Sequence, residues 1–172
     1  MTLMNILLTG RPGIGKTTVI RSVLEKLDMD AAGGFWSQEI RREGKRVGFS
    51  IVTLSGESGI LAHVDLDRGP RVGRYIVNVA DIRDIAIPSI AEARRDGKII
   101  VIDEIAKMEL CVPQFETEVV DCLSTGKTLG TVQMGGGKFV SEIKKRPDVT
   151  LVEITHSNRV AMPERILRML ST

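Results

Sequence analysis

The chain has 172 residues, of which 42% are hydrophobic and 27% charged, and its formal net charge is +2. This size and composition indicate a single soluble globular domain with a core large enough to fold alone. The small net charge gives no argument of its own for a nucleic-acid or membrane partner, and two cysteines are too few for a disulfide framework.

The chain begins with a short apolar run, MTLMNILLTG, that carries no basic residue. A glycine-rich turn follows, so the run is too short for the apolar region of a signal peptide or for a membrane span. The sequence therefore predicts a cytoplasmic protein with reduced thiols.

One βα unit opens the chain. Residues 6–8 predict a buried strand, and a turn at 10–13 ends it. Apolar residues then recur at helical spacing over 17–27, which predicts a helix.

The next segment has a different pattern. Over 35–54, apolar and polar residues alternate about a turn at 43–45, which is typical of an antiparallel hairpin. Further short strands are predicted within 55–64 and 73–79, so the antiparallel insertion covers about residues 34–78.

The second half of the chain alternates helices and strands. Most of its strands are apolar on both faces, which indicates a mainly parallel sheet covered by helices on both sides. We therefore predict an α/β fold forming a single domain over residues 1–172. The predicted helices are 82–95, 113–123, 139–145 and 162–170, and the predicted strands are 99–102, 128–133 and 149–155.

A phosphate-binding motif lies between the first strand and the first helix. GRPGIGKT, residues 10–17, matches the Walker A pattern G-x-x-x-x-G-K-[ST] in the strand–loop–helix context that the pattern requires. Glycines let successive N–H groups face a phosphate, and the helix adds its positive N-terminal end. Lys16 can reach the β- and γ-phosphates, and the Thr17 hydroxyl can bind Mg²⁺.

Two adjacent acids follow the apolar strand at 99–102. Asp103 is the natural second Mg²⁺ ligand, or else an acid that caps the next segment. Glu104 can orient or deprotonate a water beside the γ-phosphate, or else is a solvated acid. Nucleotide kinases commonly lack an acid at this position, so Glu104 favours hydrolysis.

Weaker candidates follow these acids. Lys107 and Glu109 could contact phosphate or support Glu104, or form a surface pair. Gln133 could sense the γ-phosphate at the end of the next strand, with Thr131 competing for that role.

The loop after the last predicted strand, THSNR, leaves the sheet at its ligand-binding end. Asn158 could hydrogen-bond a nucleobase, and Arg159 could stack on it or reach phosphate. Alternatively, both residues tie down the last helix.

The predicted hairpin carries four basic residues beside Phe35 and Trp36. This pattern fits single-stranded nucleic acid, an arginine folded over the triphosphate, or a solvated sheet edge protected by charge. No recognised nucleic-acid module supports the first interpretation. The four residues are Arg41, Arg42, Lys45 and Arg46.

Taken together, several stretches resemble a small nucleoside-triphosphatase family that includes the cancer-related nucleoside-triphosphatase and its thermophile relatives. They are GRPGIGKTT, GFWSQEIRREGKRVGF, VGRYIVNV, IDEIAKMEL and EITHSNR. The resemblance implies a P-loop NTPase domain with a RecA-like sheet and Mg²⁺-dependent hydrolysis of nucleoside triphosphates, with broad base tolerance.

The resemblance also implies which residues bind the nucleotide. Two stretches are carried over: the phosphate loop, and a second stretch that includes the acids. They comprise Gly10, Arg11, Pro12, Gly13, Ile14, Gly15, Lys16, Thr17 and Thr18, and Val101, Ile102, Asp103, Glu104, Ile105, Ala106, Lys107 and Met108.

The sequence departs from the family pattern at two places. The family usually has glycine where this chain has Ala106, and alanine would strain the turn if that position required a positive φ. TVQMGGGKF also replaces a more polar loop that often contains histidine.

We expect a monomeric NTPase that hydrolyses ATP, GTP and other nucleoside triphosphates, with Lys16 and Glu104 as catalytic residues and Thr17 and Asp103 as Mg²⁺ ligands. The alternatives are a small-molecule or nucleotide kinase, and a nucleotide-dependent switch that binds nucleic acid or protein.

Overall fold

A nine-stranded sheet organises residues 4–171, the part of the chain that a computed structural model describes. The predicted domain 1–172 therefore extends slightly beyond the described residues, at 1–3 and 172. The strands are β1 (Asn5–Thr9), β2 (Ala32–Arg42), β3 (Lys45–Thr53), β4 (Ser58–His63), β5 (Arg71–Val72), β6 (Tyr75–Val77), β7 (Ile99–Ile105), β8 (Thr128–Val132) and β9 (Val149–Glu153).

The sheet has a parallel half and an antiparallel half. Its strand order is β5-β6-β4-β3-β2-β7-β8-β1-β9. The pairings β2–β7, β7–β8, β8–β1 and β1–β9 are parallel. The pairings β2–β3, β3–β4, β4–β6 and β6–β5 are antiparallel. This arrangement confirms the predicted mainly parallel sheet with an antiparallel insertion, and β8 lies as an additional strand between β1 and β7.

Helices cover both faces of the parallel half. The helix predicted at 82–95 begins earlier, because the Asn78 side chain accepts a hydrogen bond from the Asp81 N–H, and it contains a π-helical turn at Ile82–Ala86. Pro88 lies in the first turn of the helix that follows. The helices are α1 (Lys16–Leu24), α2 (Val79–Asp81), α3 (Ile87–Arg95), α4 (Pro113–Ser124), α5 (Lys138–Lys144) and α6 (Met162–Leu170).

Two hydrophobic cores fix the sheet between its helices. Ile6 and Leu8 of β1 enter the core that contains α1 and α6, whereas Leu7 enters the opposite core, with Phe35 and Phe115. Burying each such side chain stabilises the fold by ~1.5–3 kcal/mol. The packing holds the carboxyl ends of β1, β7 and β8 at one edge of the sheet, where ligands bind in open α/β sheets.

Strand β7 is longer than the sequence predicts. It continues to Ile105, because Ile105 is fully buried and pairs with Val132 of β8 after a register irregularity. Asp103 and Glu104 therefore lie within the strand rather than after it.

The described residues also bear on two expectations about environment. Among residues 4–171, no helix is long and apolar enough to cross a bilayer. Cys111 and Cys122 are both free thiols, and Cys122 is buried.

Candidate active site

The loop between β1 and α1, called the phosphate cradle after its predicted role, has glycines in conformations that few other residues adopt. Gly13 and Gly15 have φ values of 78° and 106°, a region that L side chains rarely adopt. Lys16, only 8% exposed, donates a hydrogen bond from Nζ to the Gly10 carbonyl at 2.9 Å. The loop thus places its lysine and the N-terminus of α1 at the same end of the sheet.

Asp103 joins this loop to the centre of the sheet. The Thr17 hydroxyl donates to one carboxylate oxygen at 2.7 Å, and the Thr131 hydroxyl of β8 donates to the other at 2.6 Å. Burial raises the pKa of the Asp103 carboxyl, while both hydroxyls and the Lys16 charge oppose that rise. The predicted pair of Mg²⁺ ligands is therefore in contact.

The residues present fit Mg²⁺, which prefers oxygen donors and keeps several water or phosphate ligands. Thr17 and Asp103 supply a hydroxyl and a carboxylate oxygen beside the phosphate cradle. Among residues 4–171, no group of three or more His, Cys, Asp or Glu forms a metal cage. The ion would therefore need phosphate and water oxygens, as is usual at nucleotide sites.

A cleft of about 720 Å³ opens beside the cradle. One wall consists of the phosphate loop with Glu104 and Lys107, and strands of the antiparallel half form the other. Burial raises the pKa of Glu104, and the Lys16 charge opposes that rise. A carboxylate with a raised pKa is a stronger base, as general-base catalysis near neutral pH requires.

Glu109 is a second buried acid in the cleft. It is 2% exposed, and its Oε2 atom has no hydrogen-bond partner among the described residues. Burial, and next the charge of Glu104, raise its pKa well above the usual range. The sequence left Glu109 open between a supporting role and a surface pair, and its burial excludes the surface pair.

We expect Glu109→Gln to stabilise the nucleotide-free protein at pH 8. Because the pKa of Glu109 is raised in the folded protein, stability is greatest below the unfolded-state pKa of this carboxyl. Stability falls as pH rises and the buried group ionises. Glutamine is neutral at every pH, so it avoids the cost of ionising a buried carboxyl, a penalty of at least ~1–3 kcal/mol. The melting temperature should rise by several degrees at pH 8 and by less at pH 5.

Exposed Glu57→Gln is the control for this measurement, because it makes the same chemical change outside the cleft. A Glu109→Gln variant that gained no more stability at pH 8 than at pH 5 would contradict the assignment of Glu109 as a buried acid with a raised pKa.

The other residues of the second predicted stretch divide between cleft and core. Ala106, Lys107 and Met108 line the cleft, whereas the side chains of Val101, Ile102 and Ile105 are fully buried. Among described residues, Glu43 is the one non-glycine with positive φ, so alanine at 106 causes no backbone strain. The Lys107 N–H donates to the Gln133 amide oxygen at 3.1 Å, and contact of the Gln133 amide N–H group with the γ-phosphate stays a prediction.

The loop after β9 contacts the phosphate cradle. Arg159 donates from Nη1 to the Ile14 carbonyl at 3.2 Å. Asn158 accepts from the Thr155 N–H and donates to the Glu153 carbonyl, at 2.9 and 2.8 Å. Both ends of the Asn158 amide thus hold its own loop, and contact with a nucleobase stays a prediction.

Thr131 contacts Asp103, a contact that the sequence did not predict. The sequence allows it to compete with Gln133 as a γ-phosphate sensor, and in the structure its hydroxyl donates to Asp103. The signal available in the sequence was a threonine near the end of the predicted strand β8, and the structure shows that it is fully buried. Ser37 of β2, whose backbone favours the ionised form of Asp103, had no such signal.

An additional strand between the cradle strand and the acid-bearing strand defines a RecA-like P-loop protein. The NTPase family model matches residues 5–167. The chain belongs to this family.

Individual relatives match over nearly the whole chain. Nucleoside-triphosphatase THEP1 of Thermotoga sp. (strain RQ2) is 43% identical, with 97% of this chain and 95% of that protein covered. The human cancer-related nucleoside-triphosphatase is 39% identical, with 90% of each covered. The crystal structure of THEP1 from the hyperthermophile Aquifex aeolicus aligns with a TM-score of 0.90 at 35% identity, covering 98% of this chain and 100% of that one.

Proposed function

We propose that this protein hydrolyses ATP, GTP and other nucleoside triphosphates to diphosphate and phosphate with Mg²⁺. The observation that carries the proposal is that Lys16 and Glu104 line one cleft, with Thr17 and Asp103 in contact at its base. The names of the relatives point to the same activity.

The chemistry assigned to each residue follows from its place. The loop amides and Lys16 bind the phosphates and stabilise the charge that develops on them. Glu104 orients a water for attack on the γ-phosphorus and accepts its proton. Thr17 and Asp103 would hold Mg²⁺, which neutralises phosphate charge when bound.

The test is phosphate release from each of several triphosphates, with Mg²⁺ and with EDTA. We expect release from more than one triphosphate, and its loss in EDTA. Nucleotide binding without phosphate release would favour the nucleotide-dependent switch.

A kinase is the second candidate, favoured by the apolar residues Phe49, Leu61 and Val72 on the far wall of the cleft. An attacking water occupies only about 30 Å³ and needs no apolar contacts. An apolar wall of this kind would suit a larger acceptor molecule. Phosphate release that required an added acceptor would favour the kinase.

The ion pairs of the hairpin argue against a nucleic-acid partner. Arg41 pairs with Glu39 at 2.6 Å, and Arg42 with Asp65 at 2.7 Å, so these charges are already compensated. We propose a cytoplasmic monomer whose partner is the nucleotide substrate.

A further inference from the structure

The far wall of the cleft presents one cation towards the phosphate site. Arg46 of β3 lines the same cleft as Lys16 and Glu104. Arg41 and Arg42, on the same hairpin, are absent from that lining, which identifies Arg46 as the hairpin arginine on the nucleotide side.

Three neighbours hold the Arg46 guanidinium in place through four contacts. Its Nε donates to the Tyr75 hydroxyl at 2.9 Å, and its Nη1 donates to Glu39 at 3.1 Å. The guanidinium carbon also lies 5.1 Å from the centre of the Phe49 ring and 5.9 Å from that of Tyr75. These contacts reduce the side-chain entropy that a flexible arginine would lose on binding a ligand.

One end of the guanidinium stays available. The Nη2 group has no hydrogen-bond partner among residues 4–171, and the side chain is 43% exposed. A planar guanidinium with two anchored nitrogens and one free nitrogen suits a phosphate oxygen.

The charge balance of the cleft gives a reason for this cation. Its lining includes three acids: Glu39, Glu104 and Glu109. Lys16 and Lys107 supply the other two positive charges. A triphosphate brings several more negative charges, so a second fixed cation opposite Lys16 would reduce repulsion where negative charge develops.

We propose that Arg46 acts as an arginine finger supplied in cis, contacting the γ-phosphate as it is transferred. This inference rests on the proposed hydrolase function. It assigns the inserted antiparallel sheet a direct part in the reaction, beyond completing the fold.

The test compares Arg46→Ala with Arg41→Ala, which removes an ion-paired arginine from the same hairpin outside the cleft. We expect Arg46→Ala to lower kcat by at least about 100-fold with KM changed little, since such donors act on the transition state. Arg41→Ala should keep kcat within about threefold of native. Arg46→Lys should recover only part of the rate, because an ammonium lacks the fork geometry.

A second readout separates catalysis from structure. Binding of ADP with aluminium fluoride, a mimic of the transferring phosphoryl group, should weaken in Arg46→Ala much more than binding of ADP alone. Equal weakening of both, or a kcat matching that of Arg41→Ala, would overturn the proposal.

Native protein and Lys16→Ala are measured first. Phosphate release by the native protein that does not exceed the protein-free background would refute the hydrolase function itself. An active native protein, an inactive Lys16→Ala and an unaffected Arg46→Ala would refute only the arginine finger.

Discussion

Glu104→Gln should bind nucleoside triphosphate with nearly native affinity, yet release phosphate at least about 100-fold more slowly, the scale of general-base catalysis. Glutamine keeps the size of the side chain but cannot accept the proton of the attacking water. Because Glu104 is partly buried beside Lys16, the substitution also removes a charge that burial disfavours. Binding is measured by nucleotide titration, and turnover by phosphate release under saturating Mg²⁺.

Glu57→Gln is again the control, because that acid is exposed and lies outside the cleft. It should leave both affinity and turnover near native values. Native turnover in Glu104→Gln would remove this residue from the mechanism. Equal losses of binding and turnover would instead give Glu104 a role in holding the nucleotide.

The phosphate cradle was predictable because its determinants are local. The glycine spacing, the lysine and the helix all lie within one βα unit, so no long-range pairing has to be known. The position of Asp103 beside this loop was predictable less directly, because a Walker A motif calls for a second acidic ligand and acids follow one predicted apolar strand. The contact between Thr17 and Asp103 confirms that these distant segments meet.

The remainder of the site depends on tertiary pairing. Ile105 extends β7 because it pairs with Val132 of β8. The sequence of β7 alone gives no information about this partner. Arg46 was one of four basic residues with the same local pattern. Its place in the cleft follows from the pairing of β3 with β4 and β6 with β4, which brings Tyr75 within hydrogen-bonding distance.

The same distinction between local and tertiary information applies to the two departures from the family pattern. Ala106 could be judged only once the backbone was known, since a small residue satisfies the position without a positive φ. The GGGK loop remains glycine-rich, and the Gly136 backbone has a φ of 124°. A side chain there would meet Val140 and Gln133, so sterics as well as backbone conformation favour glycine.

Lys16→Ala should reduce both nucleotide affinity and turnover, unlike Glu104→Gln. Lys16 is buried in the cradle and opposes the rise in the pKa of both Asp103 and Glu104. If the proposed function holds, its removal takes away a phosphate ligand, and it also disfavours the ionised forms of these acids. We expect turnover to fall by at least about 1000-fold, at the upper end for the loss of one stabilising donor.

The pH dependence distinguishes these two effects of Lys16. If the lysine also keeps Glu104 ionised, the residual activity of Lys16→Ala should require a higher pH than native activity, because the pKa of the base rises further. Lys26→Ala, on an exposed ion pair with Glu164, provides the charge-matched control and should keep the native profile. Residual activity with an unshifted pH profile would limit Lys16 to phosphate binding, and native turnover in Lys16→Ala would refute the cradle as the site of the reaction.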